Sequence, residues 1–72
     1  MEDLSEFSTG DEVVILLNQE GQVAMTVDLW RIHGTYLHFE PYLDYVHIKI
    51  DGEHRSLYGG YIGHMVKVVT RP

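Results

Sequence analysis

The sequence predicts a small all-β domain of five or six short strands. Three observations predict it. Short stretches rich in β-branched and aliphatic residues alternate apolar and polar positions with a period of two. Glycine-bearing turn signals punctuate the chain at close intervals. No segment sustains a helical period long enough for a long helix.

Taken in order, residues 1–9 are acidic, and Leu4 and Phe7, three apart, allow one amphipathic helical turn before Ser8-Thr9-Gly10. This stretch reads as a flexible acidic arm, with residues 10–72 forming the single domain. Glu12–Leu17 is rich in aliphatic and β-branched residues and reads as a strand. Asn18-Gln19-Glu20-Gly21 is a turn cluster. Val23, Met25, Val27 and Leu29 then alternate with Gln22, Ala24, Thr26 and Asp28, so a second strand is expected there. The pattern slips by one residue at Leu29-Trp30, as at a bulge or strong bend. His33-Gly34 is a turn candidate, followed by a strand at Tyr36–Phe39. Pro41 cannot donate to a ladder, so residues 40–44 read as a loop. Tyr45–Ile50 is the cleanest strand, with Val46, Ile48 and Ile50 on one face and Tyr45, His47 and Lys49 on the other. Asp51-Gly52 is a two-residue hairpin signal of type I′. A return strand over Glu53–Tyr58 follows, then the Gly59-Gly60 break. Tyr61-Ile62-Gly63-His64 reads as one helical turn or loop, and Met65–Val69 as the closing strand. A flat sheet of this size buries one face and leaves two open edges, so a strongly bent small barrel is the more economical arrangement.

Composition limits the chemistry. A chain of 72 residues without cysteine excludes disulfide scaffolds, thiolate zinc sites and cysteine nucleophiles. No apolar run approaches the ~18–20 residues of a membrane span. The acidic opening Met1-Glu2-Asp3 is unlike the basic start of a signal peptide, so a cytoplasmic location without membrane association is expected. The net charge is −6, and residues 1–12 hold five acids and no base. Residues 13–72 hold six acids against Arg31, Lys49, Arg55, Lys67 and Arg71. Five scattered bases do not make the phosphate-gripping stripe that nucleic acid requires. The acids are gathered in one arm, which also argues against a DNA mimic.

Gly10-Asp11-Glu12-Val13-Val14-Ile15-Leu16, a short loop and Gly21-Gln22-Val23 resemble the opening of SH3-like barrels of the KOW kind. The close is similar too. A strand, an Asp-Gly turn, a return strand with Arg55 and Tyr58, one helical turn and a short valine-rich strand follow in order. The layout also resembles the small barrels of photosystem accessory subunits and ferredoxin-docking proteins. The resemblance covers about residues 10–69 and is one of turns and strands, so it implies an SH3-like barrel and no particular function. RNA-touching KOW modules are basic and carry more glycines between their first two strands, unlike this chain. Pro41-Tyr42-Leu43-Asp44-Tyr45 echoes a motif of signalling SH3 domains, but in mid-chain.

Candidate sites are few. No nucleophile elbow accompanies Ser5, Ser8 or Ser56, and Gly59, Gly60 and Gly63 lack the Lys-Ser/Thr of a phosphate loop, so an enzyme is not expected, nor a cofactor. Pairing Leu37 with Ile48 and Phe39 with Val46 sets His38 opposite His47 on the polar face. Those two imidazoles are weak candidates for a metal ion, beside Glu40 or Asp44, or for a pH response. Trp30, Tyr36, Tyr42, Tyr45, Tyr58 and Tyr61 are more rings than so small a body can bury. Tyrosine and tryptophan are favoured at protein interfaces, and Trp30, Tyr42, Tyr45, Tyr58 and Tyr61 with Arg55 as charged anchor form the expected contact surface. Val14, Leu16, Met65 and Val69 suggest apolar residues on both faces of the terminal strands, consistent with a partner or with self-association. The expected function is a non-catalytic protein-binding or regulatory module. It would serve as an accessory subunit of a larger complex, or as a phage or mobile-element inhibitor of a host protein. The alternatives are a nucleic-acid-associated KOW-like barrel, a histidine-based metal- or pH-responsive module, and a homo-oligomer.

Overall fold

The computed structural model describes residues 4–25 and 31–68. It is a small all-β fold built on one antiparallel sheet of five strands. The strands are β1 (Glu12–Leu17), β2 (Arg31–Glu40), β3 (Tyr45–Ile50), β4 (Glu53–Tyr58) and β5 (Ile62–Lys67). A short helix α1 (Gln19–Met25) follows β1, and a 3-10 turn (Gly59–Tyr61) links β4 to β5. The sheet order is β4-β3-β2-β1-β5, so β4 and β5 are its edges.

The β3–β4 hairpin forms as its turn residues dictate. Asp51 and Gly52 both take positive φ, 52° and 79°, the pair of left-handed residues that a type I′ turn needs. β2 has ten residues and serves two neighbours: Arg31–Thr35 pairs with β1, and the part from Thr35 to Glu40 pairs with β3. Gly34, expected in a turn, lies inside this strand. A Cβ there would meet the Lys49 carbonyl oxygen at 2.8 Å, so the glycine admits a close backbone approach instead of reversing the chain.

His38 pairs with His47 and Phe39 with Val46, as the alternation requires. Leu37 does not face Ile48. The register shifts between Tyr36 and His38, which puts Tyr36 opposite Ile48 and leaves Leu37 as the extra residue of a bulge. Tyr36 thereby enters the core, 5% exposed, where burial raises its phenol above the ordinary tyrosine range.

The expected turn at residues 18–21 and the start of the expected second strand are instead α1. Asn18 makes the difference: its Oδ1 accepts the Gly21 amide at 2.9 Å and its carbonyl accepts the Gln22 amide at 3.0 Å, capping a helix. Val23, placed on the apolar side of the alternation, is 72% exposed. Val27, Leu29 and Trp30 lie outside the described residues. The single turn expected at residues 61–64 lies earlier, at Gly59–Tyr61, and β5 begins at Ile62.

Val13, Ile15 and Leu17 of β1, Val46 and Ile48 of β3, Leu57 of β4, and Ile62 and Met65 of β5 fill the core. Leu4 and Phe7 belong to it as well, both less than a tenth exposed. Two residues of the segment read as an arm, Leu4 and Phe7, therefore pack against the body of the domain. Phe7 packs on Tyr36 with ring centroids 5.7 Å apart. The Thr9 hydroxyl donates to the Leu37 carbonyl, and the Lys67 ammonium donates to the Glu6 carbonyl at 2.8 Å. Lys67 also stands 3.4 Å from the Asp11 carboxylate. The Ser8 amide donated to that carboxylate, with Lys67 beside it, holds Asp11 below the usual carboxylate range. Apolar side chains in an acidic segment thus find the core end that β5 and β2 leave open.

Candidate functional site

Strand alternation places Tyr45, His47 and Lys49 on the outer face of β3, opposite the core residues Val46 and Ile48. The two-residue hairpin fixes their partners on β4. Tyr45 faces Tyr58, His47 faces Ser56 and Lys49 faces His54. On β2, Glu40 faces Tyr45 and His38 faces His47. One sheet face therefore carries a tyrosine cluster at one end and a histidine row beside it.

The tyrosines meet edge to face. Tyr45 and Tyr58 have centroids 6.3 Å apart at 71°, and Tyr58 and Tyr61 are 5.2 Å apart at 87°. This is the favoured geometry for aromatic quadrupoles. Tyr45 and Tyr58 remain 37% and 44% exposed, so the rings are ordered by one another and still present area to a partner. With Met25, Ser56 and Leu57 they line a groove of about 440 Å³. Tyr61 is set by its backbone. Its carbonyl accepts the Asn18 amide at 2.9 Å, while the Asn18 side-chain amide donates to the Gly60 carbonyl at 2.7 Å. The cap of α1 and the 3-10 turn are thus one hydrogen-bonded unit. Asp44, at φ 58°, accepts the Gly59 amide at 2.7 Å and ties the turn to the start of β3.

Of the residues singled out in the sequence, Tyr45, Tyr58 and Tyr61 come together. Tyr42 stands apart on the 41–44 loop, 92% exposed. Arg55 faces the opposite side of β4 from Tyr58, across from Ile48, and pairs with Glu53 at 3.0 Å. Both of those side chains are more than half exposed, so the pair adds little stability, and Arg55 does not anchor the tyrosine surface. Trp30 lies outside the described residues. Of the apolar residues expected on both faces of the terminal strands, Met65 is buried, Val14 is half-buried and Leu16 is exposed, as are Val66 and Val68, while Val69 lies outside the described residues.

Among the described residues, which do not include Arg71, the bases do not gather. Arg31 faces Leu16 across β1, Lys49 faces His54, Arg55 lies on the other side of the sheet, and Lys67 is engaged by Glu6 and Asp11.

The histidine pair proves to be a row of three. His38 and His47 stack with centroids 4.3 Å apart and planes at 14°. His54 stacks on the other side of His47, 5.1 Å away at 9°, with its Nε2 2.9 Å from His47 Nδ1. The Ser56 hydroxyl is 3.1 Å from the same Nδ1. His54 was missed in the sequence, although the Asp51-Gly52 turn determines the register and puts position 54 diagonal to 47. Stacked rings direct their in-plane lone pairs along parallel lines. Accordingly, no group of three or more His, Asp or Glu converges on one point among the described residues.

Loss of water around the ring, then His38, then His54, lowers the His47 pKa, while Glu40 pulls the other way. A folded-state value below the ordinary 6.5 means that the unfolded chain takes up its proton first as pH falls. The contribution to stability is therefore complete above pH 6.5 and declines as pH drops from there towards the folded-state value. Asp11 adds a lower window, complete above its ordinary 3.8 and lost as pH falls below it. Urea midpoints measured against pH should fall on mild acidification in the native chain and fall less in His47→Gln. Equal slopes in the two proteins would contradict this account.

No helix among the described residues is long and apolar enough to cross a membrane. No protein family matches the chain, and neither does any curated protein or solved structure.

Proposed function

We propose that this protein is a non-catalytic protein-binding module, and that the Tyr45–Tyr58–Tyr61 surface is its contact site. The observation that carries this reading is the chain of three edge-to-face rings around an open groove. Such rings offer large, rigid contact area at low entropic cost, which is why tyrosine is favoured at interface hot spots. The role is that of an accessory subunit of a larger complex or of a mobile-element inhibitor of a host protein. The sheet order β4-β3-β2-β1-β5, with a 3-10 turn before the last strand, supports an SH3-like barrel as the scaffold.

The test is affinity capture from cell extract with the full chain as bait, compared with Tyr58→Ala and Tyr61→Ala baits whose circular dichroism shows them folded. One stoichiometric protein is expected on the native chain and is lost from both variants. Equal capture by the variants would exclude this surface. Retention of nucleic acid would instead favour the KOW-like alternative, and retention of only the chain itself a homo-oligomer.

A further inference from the structure

The tyrosine groove has a sign. Its lining of Met25, Tyr45, Ser56, Leu57, Tyr58 and Tyr61 carries no formal charge. A T-shaped contact uses the edge of one ring and one face of the other. Two such contacts among Tyr45, Tyr58 and Tyr61 therefore leave most of the ring faces uncovered by one another. A ring face is the negative part of its quadrupole and attracts a cation. The formal charges beside the groove act the same way. Glu40 stands opposite Tyr45 on β2, and the Asp44 carboxylate lies against Gly59, the neighbour of Tyr58 in the chain. Among the described residues neither carboxylate is in an ion pair, and no lysine or arginine lines the groove. We propose that the groove takes an arginine side chain from a basic segment of the protein partner, with its guanidinium stacked on the tyrosine faces. This rests on the groove being the contact site and names the chemistry of what enters it.

A guanidinium is planar and weakly hydrated, so it stacks on an aromatic face at a smaller desolvation cost than a lysine ammonium. Stacking leaves its in-plane N–H groups free to donate to a carboxylate. The Leu43 amide donates to Glu40 Oε2 and holds that carboxylate on the Tyr45 side of the groove. The rings are also held before anything binds. Tyr58 lies against Gly60, where a Cβ would fall 2.5 Å from its Cε2, and Asn18 donates to the carbonyls of both Gly60 and Tyr61. A surface ordered in advance loses less freedom on binding. An acidic segment or a phosphate backbone would meet ring faces and carboxylates of its own sign, which disfavours it as the occupant.

The test titrates the full chain with the end-blocked pentapeptide Gly-Gly-Arg-Gly-Gly and follows tyrosine-ring and amide NMR signals. Saturable shifts centred on Tyr45, Tyr58 and Tyr61 are expected. The same peptide with citrulline keeps the shape and loses the charge. It should bind about 3- to 30-fold more weakly, the span of a cation–π contact from exposed to desolvated. Tyr58→Leu and Tyr61→Leu keep the net charge and an apolar groove, and each should weaken the arginine peptide. A native-like amide spectrum for each variant separates loss of the site from loss of the fold. Glu40→Gln, whose side-chain oxygen still accepts the Leu43 amide, should weaken binding in low salt and hardly alter it in high salt. Equal binding of the citrulline peptide, unchanged binding by the two leucine variants, shifts centred on Glu6, Asp11 and Glu12, or no saturable binding would each overturn the assignment. A protein partner captured through Tyr58 and Tyr61 by a chain that ignores the arginine peptide would refute this inference alone and leave the contact site standing. Arginine binding in the groove with no partner captured would do the reverse.

Discussion

Phe7→Ala is expected to lower the unfolding free energy by about 3 kcal/mol, the ordinary cost of emptying a buried phenylalanine site. The ring is 8% exposed, packs on Tyr36, and lies under the Lys67 ammonium at 5.9 Å from its centroid. A small domain of this length is stabilised by about 4–11 kcal/mol in total, so the loss is a large share of it. Urea denaturation measures it directly, as a lower midpoint with an unchanged slope. Glu6→Ala serves as the contrast. Lys67 takes the Glu6 backbone carbonyl, which alanine also provides, so the midpoint should hardly move. A Phe7→Ala midpoint equal to the native one would show that the amino-terminal segment contributes nothing to the core.

Gly21→Ala is expected to destabilise by about 1–3 kcal/mol, the range for overpacking a tight contact. Helix propensity alone predicts the opposite sign, since alanine in place of a helical glycine gains up to about 1 kcal/mol. The contact decides. A Cβ on Gly21 would fall 2.5 Å from the Tyr61 carbonyl oxygen and 2.8 Å from its Cβ. Neither atom is the free end of a side chain, and that carbonyl also accepts the Asn18 amide. Relief requires α1 and the 3-10 turn to separate, which moves Tyr61 away from Tyr58. The variant should therefore show both a lower urea midpoint and shifted Tyr58 and Tyr61 ring resonances. A stabilised Gly21→Ala protein would mean that α1 is not seated on the turn.

The Gly59 position contrasts with Gly21. A Cβ there would meet the Asp44 carboxylate oxygens, which are the movable end of a side chain, so the strain is more easily relieved. The same difference between fixed backbone and mobile side chain explains why the α1 contact is the sensitive one.

Local chemistry made part of this fold legible in advance. Asp51-Gly52 specifies its hairpin because both residues tolerate positive φ, and a two-residue turn leaves only one register for β3 and β4. The alternation of Val46 and Ile48 with Tyr45 and His47 settles which face is buried. The His38–His47 pairing follows from Phe39 and Val46 sharing the core side. The tyrosine cluster was half legible: Tyr45 and Tyr58 lie opposite each other by register, whereas Tyr61 joins them only through the turn that Asn18 and Asp44 hold.

The sequence by itself determined the all-β class, the hairpin and the polarity of the central strands, because these depend on turn stereochemistry and a period of two within a few residues. Tertiary structure decided the rest. Seven residues are too few to hold a helix in water, so α1 depends on its cap and on contact with the 3-10 turn, and no periodicity announces it. The bulge at Leu37 depends on β2 serving two neighbours at once. Leu4 and Phe7 leave an acidic segment for the core because the assembled sheet offers an apolar surface there, and the free energy of covering it exists only once the strands have met.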